Sequence, residues 1–229
     1  MAAYAYRLLN VFTQGGAALS GNPLCVFERA QTLDSTRMQA LALQFNLSET
    51  TFILPSERAS ARVRIFTPAY EMTFAGHPTL GTAQVCRALG LGGDRLTLEM
   101  NAGIITVRAS GNRWTLQAPA PTWREIEEPR LTIAAMLGLE ERDIAERPLW
   151  VNAGTEQLIV PLTSEAAVRR VRVRADLLAQ LTSVSGQSMA YVFAPAGAGL
   201  RIICFAAGLP WLRIAPQRRS CAGLSSSAP

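Results

Sequence analysis

Apolar and polar positions alternate with period two along much of the first half of the chain, which predicts strands. The runs are rich in β-branched and aromatic residues, and the second begins with a Gly-Asn-Pro turn. In chain order the predicted strands are YRLLNVF, GNPLCVF, ETTFIL, ARVRIFT, RLTLEM, GIITVRA and RWTLQAP. The last two are joined around Ser110–Asn112, which predicts a hairpin.

Two stretches of this half have helical spacing instead. Residues 35–45 place apolar side chains at intervals of three and four, and Asp34 or Ser35 is the expected N-cap. The segment GHPTLGTAQVCRALGLGG, residues 76–93, predicts a second helix with Pro78 at its first helical position. Helices and strands therefore alternate, which indicates a mixed α and β unit.

The second half repeats this mixture. TIAAMLGL predicts a short helix, Ser164 is the expected cap of another, and PLWVNAGTEQLIVPL predicts two strands around an Asn-Ala-Gly-Thr turn. AYVFAP and LRIICFA predict two more strands. The Pro-rich stretch APAPTW, residues 118–123, is the expected domain boundary. We therefore predict an α+β protein with domains at 1–118 and 124–207, followed by an atypical tail at 208–229.

The composition predicts a cytoplasmic globular protein with no membrane association. Of the 229 residues, 49% are hydrophobic and 17% are charged, which does not suggest disorder. The longest uncharged stretch, residues 177–200, is broken by Ser, Gln, Gly and Pro, so we expect no membrane span. The first residues lack the basic head and apolar middle of a signal peptide.

The net charge of +5 does not indicate a nucleic-acid partner once its distribution is considered. All acids lie at or before Asp176, and the excess of arginine comes from Arg201, Arg213, Arg218 and Arg219 near the end of the chain. A nucleic-acid groove needs clustered basic residues interleaved with aromatics, and one short tail does not supply them. We expect no nucleic acid among the partners.

The four cysteines form no Cys-x-x-Cys pair, and the chain has a single histidine. This set predicts no zinc or other metal site. With no export signal, we expect reduced and mostly buried thiols.

Glu49 is the first candidate for chemistry, in the stretch NLSETTFIL. It opens a strand whose other residues are apolar or threonine, so its carboxylate is expected to be partly desolvated. A desolvated carboxyl group can both give and take a proton near neutral pH. The alternative is an ordinary solvated glutamate at the end of a strand.

His77, the only histidine, is the second candidate, between Gly76 and Pro78. Gly76 removes a side chain where a ligand would approach, and the amides of Thr79 and Leu80 are expected to be free at the positive end of the helix dipole. Such a helix start suits a substrate carboxylate, and an imidazole beside it can bind the substrate or relay a proton. The alternative is a histidine that only caps the helix.

Three segments in order, GNPLCVF, NLSETTFI and RIFTPAYEMTFAGHPTLGTAQV, resemble the phenazine-biosynthesis PhzF-like family. The resemblance implies the diaminopimelate epimerase-like fold, in which two similar halves each form a curled β-sheet around a central helix, with the active site in the cleft between them. It also implies a homodimeric isomerase that needs no cofactor. Its substrate would be a small carboxylate such as trans-2,3-dihydro-3-hydroxyanthranilate, in which a proton moves between carbons.

The resemblance also implies roles for individual residues. Glu49 matches the general acid/base, and His77 matches the polar partner beside it. The expected substrate-binding residues are Gly76, Asn22, Ser48 and Thr79. Related epimerases that use two thiols carry a cysteine at the helix start; Cys86 lies two turns into the helix, where we expect it in the core, so a two-cysteine racemase is not expected.

The second half departs from the family pattern. Family members carry an E-D-P-A-T-G-S-type motif after a strand resembling RIICFAAG, whereas this chain continues as LPWLRIAPQRRSCAGLSSSAP and has no acid after Asp176. One hypothesis is that residues from about Gly208 onward are read out of frame, which leaves the second half incomplete; the other is a genuine shortened variant. Two functions therefore stay open: an isomerase, with activity impaired by the missing motif, or a non-catalytic small-acid binder or inactive truncated product.

Overall fold

In the computed structural model the described residues are 3–13, 17–118, 120–196 and 199–206. The predicted tail at 208–229, with the hypothesis of an altered reading frame, lies outside them. The chain divides into two compact units: residues Met1–Pro121 with Ala153–Thr155, and residues Thr122–Asn152 with Glu156–Pro229. Among the described residues, no helix has the length and apolar content needed to cross a membrane.

The first unit contains one mixed sheet of eight strands. They are β1 (Tyr6–Val11), β2 (Asn22–Phe27), β3 (Thr50–Leu54), β4 (Ala61–Phe66), β5 (Glu71–Met72), β6 (Arg95–Met100), β7 (Gly103–Ser110) and β8 (Arg113–Leu116). The order is β1-β2-β3-β4-β6-β7-β8, and β5 pairs with β4. The pairs β2–β3 and β4–β6 are parallel, and the others are antiparallel. Parallel neighbours need a crossover connection, and helices supply both crossovers.

Helix α1 (Ser35–Phe45) connects β2 to β3, and helix α2 (Gly76–Ala88) comes before β6. Asp34 caps α1 by accepting a hydrogen bond of 2.8 Å from the amide of Arg37, which confirms one of the two predicted caps. Asn46, in the left-handed region with φ of 50°, ends α1 and turns the chain toward β3.

Helix α2 lies at the centre of the first unit. Eight of its thirteen residues are buried, which is far more than one face of a surface helix. It packs against six strands of the sheet: β1, β2, β3, β4, β6 and β8. The sheet therefore curls around α2, which confirms the curled sheet with a central helix expected for this half.

Gly81 allows α2 to approach the sheet closely. A Cβ atom at this position would lie 2.6 Å from Leu24 Cδ2 and 2.9 Å from Val11 Cγ2, both below normal contact distance. Thr82, the next residue, shares a buried hydrogen bond of 2.8 Å with Thr51 of β3 through their hydroxyl groups. These two contacts fix the position of α2 on β2 and β3.

The opposite face of the sheet packs against α1 through an aromatic cluster. The Phe27 and Phe52 rings are stacked with centroids 4.9 Å apart, and Phe66 meets Phe52 edge-on at 5.5 Å. Phe45 of α1 meets Phe27 edge-on at 5.7 Å. Offset and edge-on arrangements suit the charge distribution of aromatic rings, so this cluster stabilises the α1 face.

The second unit contains a five-stranded sheet of order β13-β12-β11-β10-β9, with β11–β12 parallel. Its strands are β9 (Thr122–Glu125), β10 (Leu149–Asn152), β11 (Glu156–Pro161), β12 (Met189–Ala196) and β13 (Gly199–Ala206). Its helices are α3 (Arg130–Leu137), α4 (Glu165–Arg170) and α5 (Ala175–Leu178), with a 3-10 turn at Glu141–Asp143. Ser164 accepts a hydrogen bond of 3.1 Å from the amide of Ala167, as predicted for the cap of α4.

Two of the four cysteines, Cys25 and Cys86, are described with their side chains, and both are buried free thiols. Cys86 is fully buried in α2, which confirms its expected place in the core. Burial raises the pKa of each thiol to about 12.

We therefore expect both thiols to resist alkylation in the folded protein, because the thiolate is the reactive form and almost none exists near pH 8. Peptide mapping after iodoacetamide treatment should find Cys25 and Cys86 unmodified in native protein and modified after unfolding in urea. Equal labelling of Cys86 in both states would contradict its burial.

Candidate active site

Glu49 lies directly before β3, an interior strand between β2 and β4. The left-handed turn at Asn46 and the next two residues, Leu47 and Ser48, bring the chain from the end of α1 to this position. The side chain of Glu49 is 6% exposed, so the carboxyl group is removed from solvent. Ser48 is half-buried beside it.

His77 is the second residue of α2 and is 5% exposed. Ala75 is the N-cap of this helix and has an extended backbone, with no side-chain cap. The backbone of Pro23 in β2 acts on the imidazole and by itself would raise its pKa.

Glu49 and His77 meet inside the first unit. Glu49 Oε2 lies 3.2 Å from His77 Nε2, but the contact does not have the alignment of a hydrogen bond, and both atoms are without a hydrogen-bond partner in the described part of the chain. Asn22, 3% exposed at the start of β2, has an unpartnered Nδ2 as well. Buried polar atoms are nearly always satisfied, so unsatisfied ones on Asn22, Glu49 and His77 need a specific explanation.

The electrostatics of the site favour a neutral imidazole. Burial lowers the pKa of His77 below its ordinary value of 6.5, and the charge of Glu49 and the backbone of Pro23 oppose that shift without reversing it. His77 is therefore uncharged at neutral pH.

This neutral, buried histidine makes the stability of the fold depend on pH. Below pH 6.5 the unfolded chain binds a proton at residue 77 while the folded imidazole does not, so the free energy of unfolding falls as the pH drops. The loss is at most about 1.4 kcal/mol per pH unit. Urea unfolding of the wild type and of His77→Gln at several values between about pH 7.5 and pH 5.5 should show a steeper loss in the wild type. Parallel curves for the two proteins would contradict a lowered pKa for His77.

The start of α2 differs in detail from the sequence-based expectation. Pro78 is the third residue of the helix and not the first, and the amide of Thr79 donates to the carbonyl of Ala75 at 3.2 Å. The expectation of a free Thr79 amide is therefore wrong. The helical amides without an i−4 partner are those of Gly76 and His77, because Ala75 is the cap.

The side chain of Thr79 is also committed to structure. It is fully buried, and its hydroxyl donates to the Ala75 carbonyl at 2.6 Å. Gly76 stays half-exposed at the first turn, so the helix start is open to a ligand at that residue. Of Gly76 and Thr79, only Gly76 is accessible to a ligand.

The backbone support of this site involves residues that local sequence patterns do not mark. Thr155, in the stretch Ala153–Thr155 of the first unit, donates from its hydroxyl to the Phe74 carbonyl at 2.9 Å. Thr73 donates to the Gly154 carbonyl. These contacts hold the segment that leads into α2 at Ala75. No local sequence signal marks them, since the partners lie about eighty positions apart.

The fold places this protein in the α+β class with a diaminopimelate epimerase-like architecture, in which a curled sheet surrounds a central helix. The solved structure of a predicted epimerase from Pseudomonas aeruginosa superposes with a TM-score of 0.72 at 26% sequence identity, covering 96% of this chain and 79% of that chain. Within this class, the chain belongs to the phenazine biosynthesis-like protein family, PhzC-PhzF, whose family model matches residues 9–200.

Curated relatives support the assignment of the chain to this family. An uncharacterized isomerase of Pasteurella multocida is 36% identical over 192 residues, covering 82% of this chain and 65% of the relative. Trans-2,3-dihydro-3-hydroxyanthranilate isomerase of Pseudomonas aeruginosa is 43% identical over 172 residues, covering 72% of this chain and 59% of the relative. The chain thus spans about three fifths of the length of the curated relatives it matches.

Proposed function

We propose that this protein is an isomerase of the PhzF type that moves a proton between two carbons of a small carboxylate substrate. Glu49 is the general acid/base, and His77 is its polar partner. The observation that carries the proposal is the buried contact of 3.2 Å between Glu49 Oε2 and His77 Nε2, two polar atoms without hydrogen-bond partners among the described residues. A structural pair would be satisfied, whereas a site for a polar ligand leaves such atoms open.

The chemistry needs one group that both takes and returns a proton. Glu49 as a carboxylate removes a proton from a carbon, and the electron pair left behind shifts through the adjacent double bond. The protonated Glu49 then returns the proton to the second carbon, so substrate and protein end with their starting charge. General acid/base groups in such positions contribute about 10²–10⁴-fold to the rate.

The substrate carboxylate fits the start of α2. The amides of Gly76 and His77 have no helical partner, and the positive end of the helix dipole favours a negative charge there. Asn22 supplies a buried Nδ2 donor without a partner, which can bind a further acceptor on the ligand. A substrate similar to trans-2,3-dihydro-3-hydroxyanthranilate, named in the relatives from Pseudomonas, satisfies these requirements.

The direct test is isomerisation in heavy water. The protein is incubated with trans-2,3-dihydro-3-hydroxyanthranilate in D2O, and deuterium incorporation and product formation are followed by NMR and mass spectrometry. Incorporation at carbon above the rate without protein supports the proposal. Binding detected by calorimetry, without any isotope exchange in this or a related small acid, supports the second candidate, a non-catalytic small-acid binder.

The second candidate rests on the helix start and Asn22, whose unpartnered donors can hold a small acid without any proton transfer. We further propose that the protein acts as a homodimer in the cytoplasm and needs no cofactor, since proton transfer by a carboxyl group requires none.

A further inference from the structure

Two side-chain contacts connect the region of β3 to α2 on one face of the sheet. The first is the close approach of Glu49 to His77 in the candidate active site. The second is the hydrogen bond of 2.8 Å between the hydroxyl groups of Thr51 and Thr82. Both threonines are fully buried, so water does not compete for this hydrogen bond. The second contact therefore lies in the same solvent-free layer as the first.

The spacing of the two contacts shows how β3 and α2 are aligned. Thr51 follows Glu49 by two residues, which corresponds to about 7 Å along an extended strand. Thr82 follows His77 by five residues, which corresponds to about 7.5 Å along an α-helix. The strand and the helix thus advance by nearly the same distance in the same direction between the contacts. A change at the second contact is therefore transmitted to the first.

Side-chain hydrogen bonds attach α2 to three strands in the described part of the chain. Those of Thr79 and Gln84 reach β6 and β8, and that of Thr82 reaches β3. A hydrogen bond has a preferred distance and angle, whereas apolar packing is non-directional. The bond between Thr51 and Thr82 therefore fixes α2 in a defined position against the strand that begins directly after Glu49.

We propose that Thr51 and Thr82 form a positioning pair, whose hydrogen bond holds the Glu49 carboxyl group and the His77 imidazole at the separation that proton transfer requires. The pair acts through these two residues and not on the substrate, because both hydroxyl groups are buried and bonded to each other. Its effect on turnover rests on the proposed function, whereas the position of the imidazole is a property of the free protein.

Thr51→Val tests the pair, because valine has nearly the shape of threonine but lacks the hydroxyl group. The Thr82 hydroxyl group then loses its partner in a buried place, which favours a shift of α2 or the entry of water. We expect kcat for isotope exchange to fall by about 10–10²-fold, since a misplacement of about 1 Å has effects of this size. The change in KM should be smaller, because the amides that bind the ligand move with the helix.

Thr50→Val is the matched control. Thr50 is the neighbouring residue and equally buried, and its hydroxyl group has no hydrogen-bond partner among the described residues. Successive residues of a strand point to opposite faces, so Thr50 lies on the face away from α2. Thr50→Val should therefore exchange isotope at the wild-type rate. Thr51→Ser, which keeps the hydroxyl group, should retain most of the rate as well.

The position of His77 can be followed without substrate, because it is the only histidine in the chain. In protein labelled with 13C-histidine, a single set of imidazole NMR signals reports the surroundings of this ring. The signals should move in Thr51→Val and in Thr82→Val, and should stay in place in Thr50→Val. The double variant Thr51→Val/Thr82→Val should lose no more kcat than either single variant, because one hydrogen bond can be lost only once.

An unchanged kcat in folded Thr51→Val would overturn the proposal, and a lower urea midpoint with that kcat would mean that the bond only stabilises the fold. Additive losses in the double variant would overturn it as well. If Thr51→Val does not fold, Thr82→Val decides.

The outcome is separable from that of the proposed function. If the wild type shows no isotope exchange, the isomerase is refuted, and the imidazole signals alone decide whether the two threonines position the ring. Signals that stay in place in both valine variants would then refute the positioning pair.

Discussion

Replacement of Glu49 by glutamine should lower the rate of isotope exchange into the substrate by about 10²–10⁴-fold. Glutamine has nearly the same shape as glutamate, so the packing of the buried site is preserved, but an amide cannot take a proton from carbon. Ligand affinity measured by calorimetry should change little, because the helix amides and Asn22 are intact. The loss should therefore appear in kcat and not in KM.

Glu57→Gln is the matched control, since Glu57 is an exposed glutamate eight residues further along the chain. Its exchange rate should equal that of the wild type. Unchanged exchange in Glu49→Gln would exclude Glu49 as the proton carrier. Loss of ligand binding in Glu49→Gln would instead assign the carboxylate a binding role.

Phe52→Ala should destabilise the protein by about 3–5 kcal/mol. Phe52 is fully buried on β3, stacked on Phe27 and edge-on to Phe66, so the substitution removes two aromatic contacts and leaves a cavity between the sheet and α1. The midpoint of urea unfolding should fall with little change in slope. Because β3 begins directly after Glu49, the rate of isotope exchange should fall as well.

Leu43→Ala is the comparison for this effect. Leu43 lies on α1 and is 60% exposed, so its truncation should change the stability by no more than about 0.5 kcal/mol. A similar loss for both variants would mean that the aromatic cluster does not carry the stability of this face.

Most elements of the fold follow from local patterns in the sequence. The alternation of apolar and polar residues in strands and the helix caps at Asp34 and Ser164 act over a few residues. The structure confirms both caps. Four short elements were missed: β5, β9, α5 and the 3-10 turn at Glu141–Asp143. Strand β9 has only four residues after a proline-rich stretch and exists through its pairing with β10, and α5 has four residues, too few to show a helical period.

The candidate site was predictable only in part. The motifs around Glu49 and His77 identified both residues, and the structure brings their side chains together. The helix start was displaced by two residues because Ala75, which has no capping side chain, is the N-cap, whereas the position of Pro78 suggested a later start.

The missing side chain at Gly81 has an implication for natural and laboratory variation. This residue lies one helical turn after His77 and determines how near α2 can come to Leu24 and Val11. A larger residue there would push α2 away from the sheet and move the His77 imidazole away from Glu49, without contacting either side chain. Screens for altered turnover should therefore recover substitutions at Gly81, even though an inspection limited to ligand contacts would overlook it.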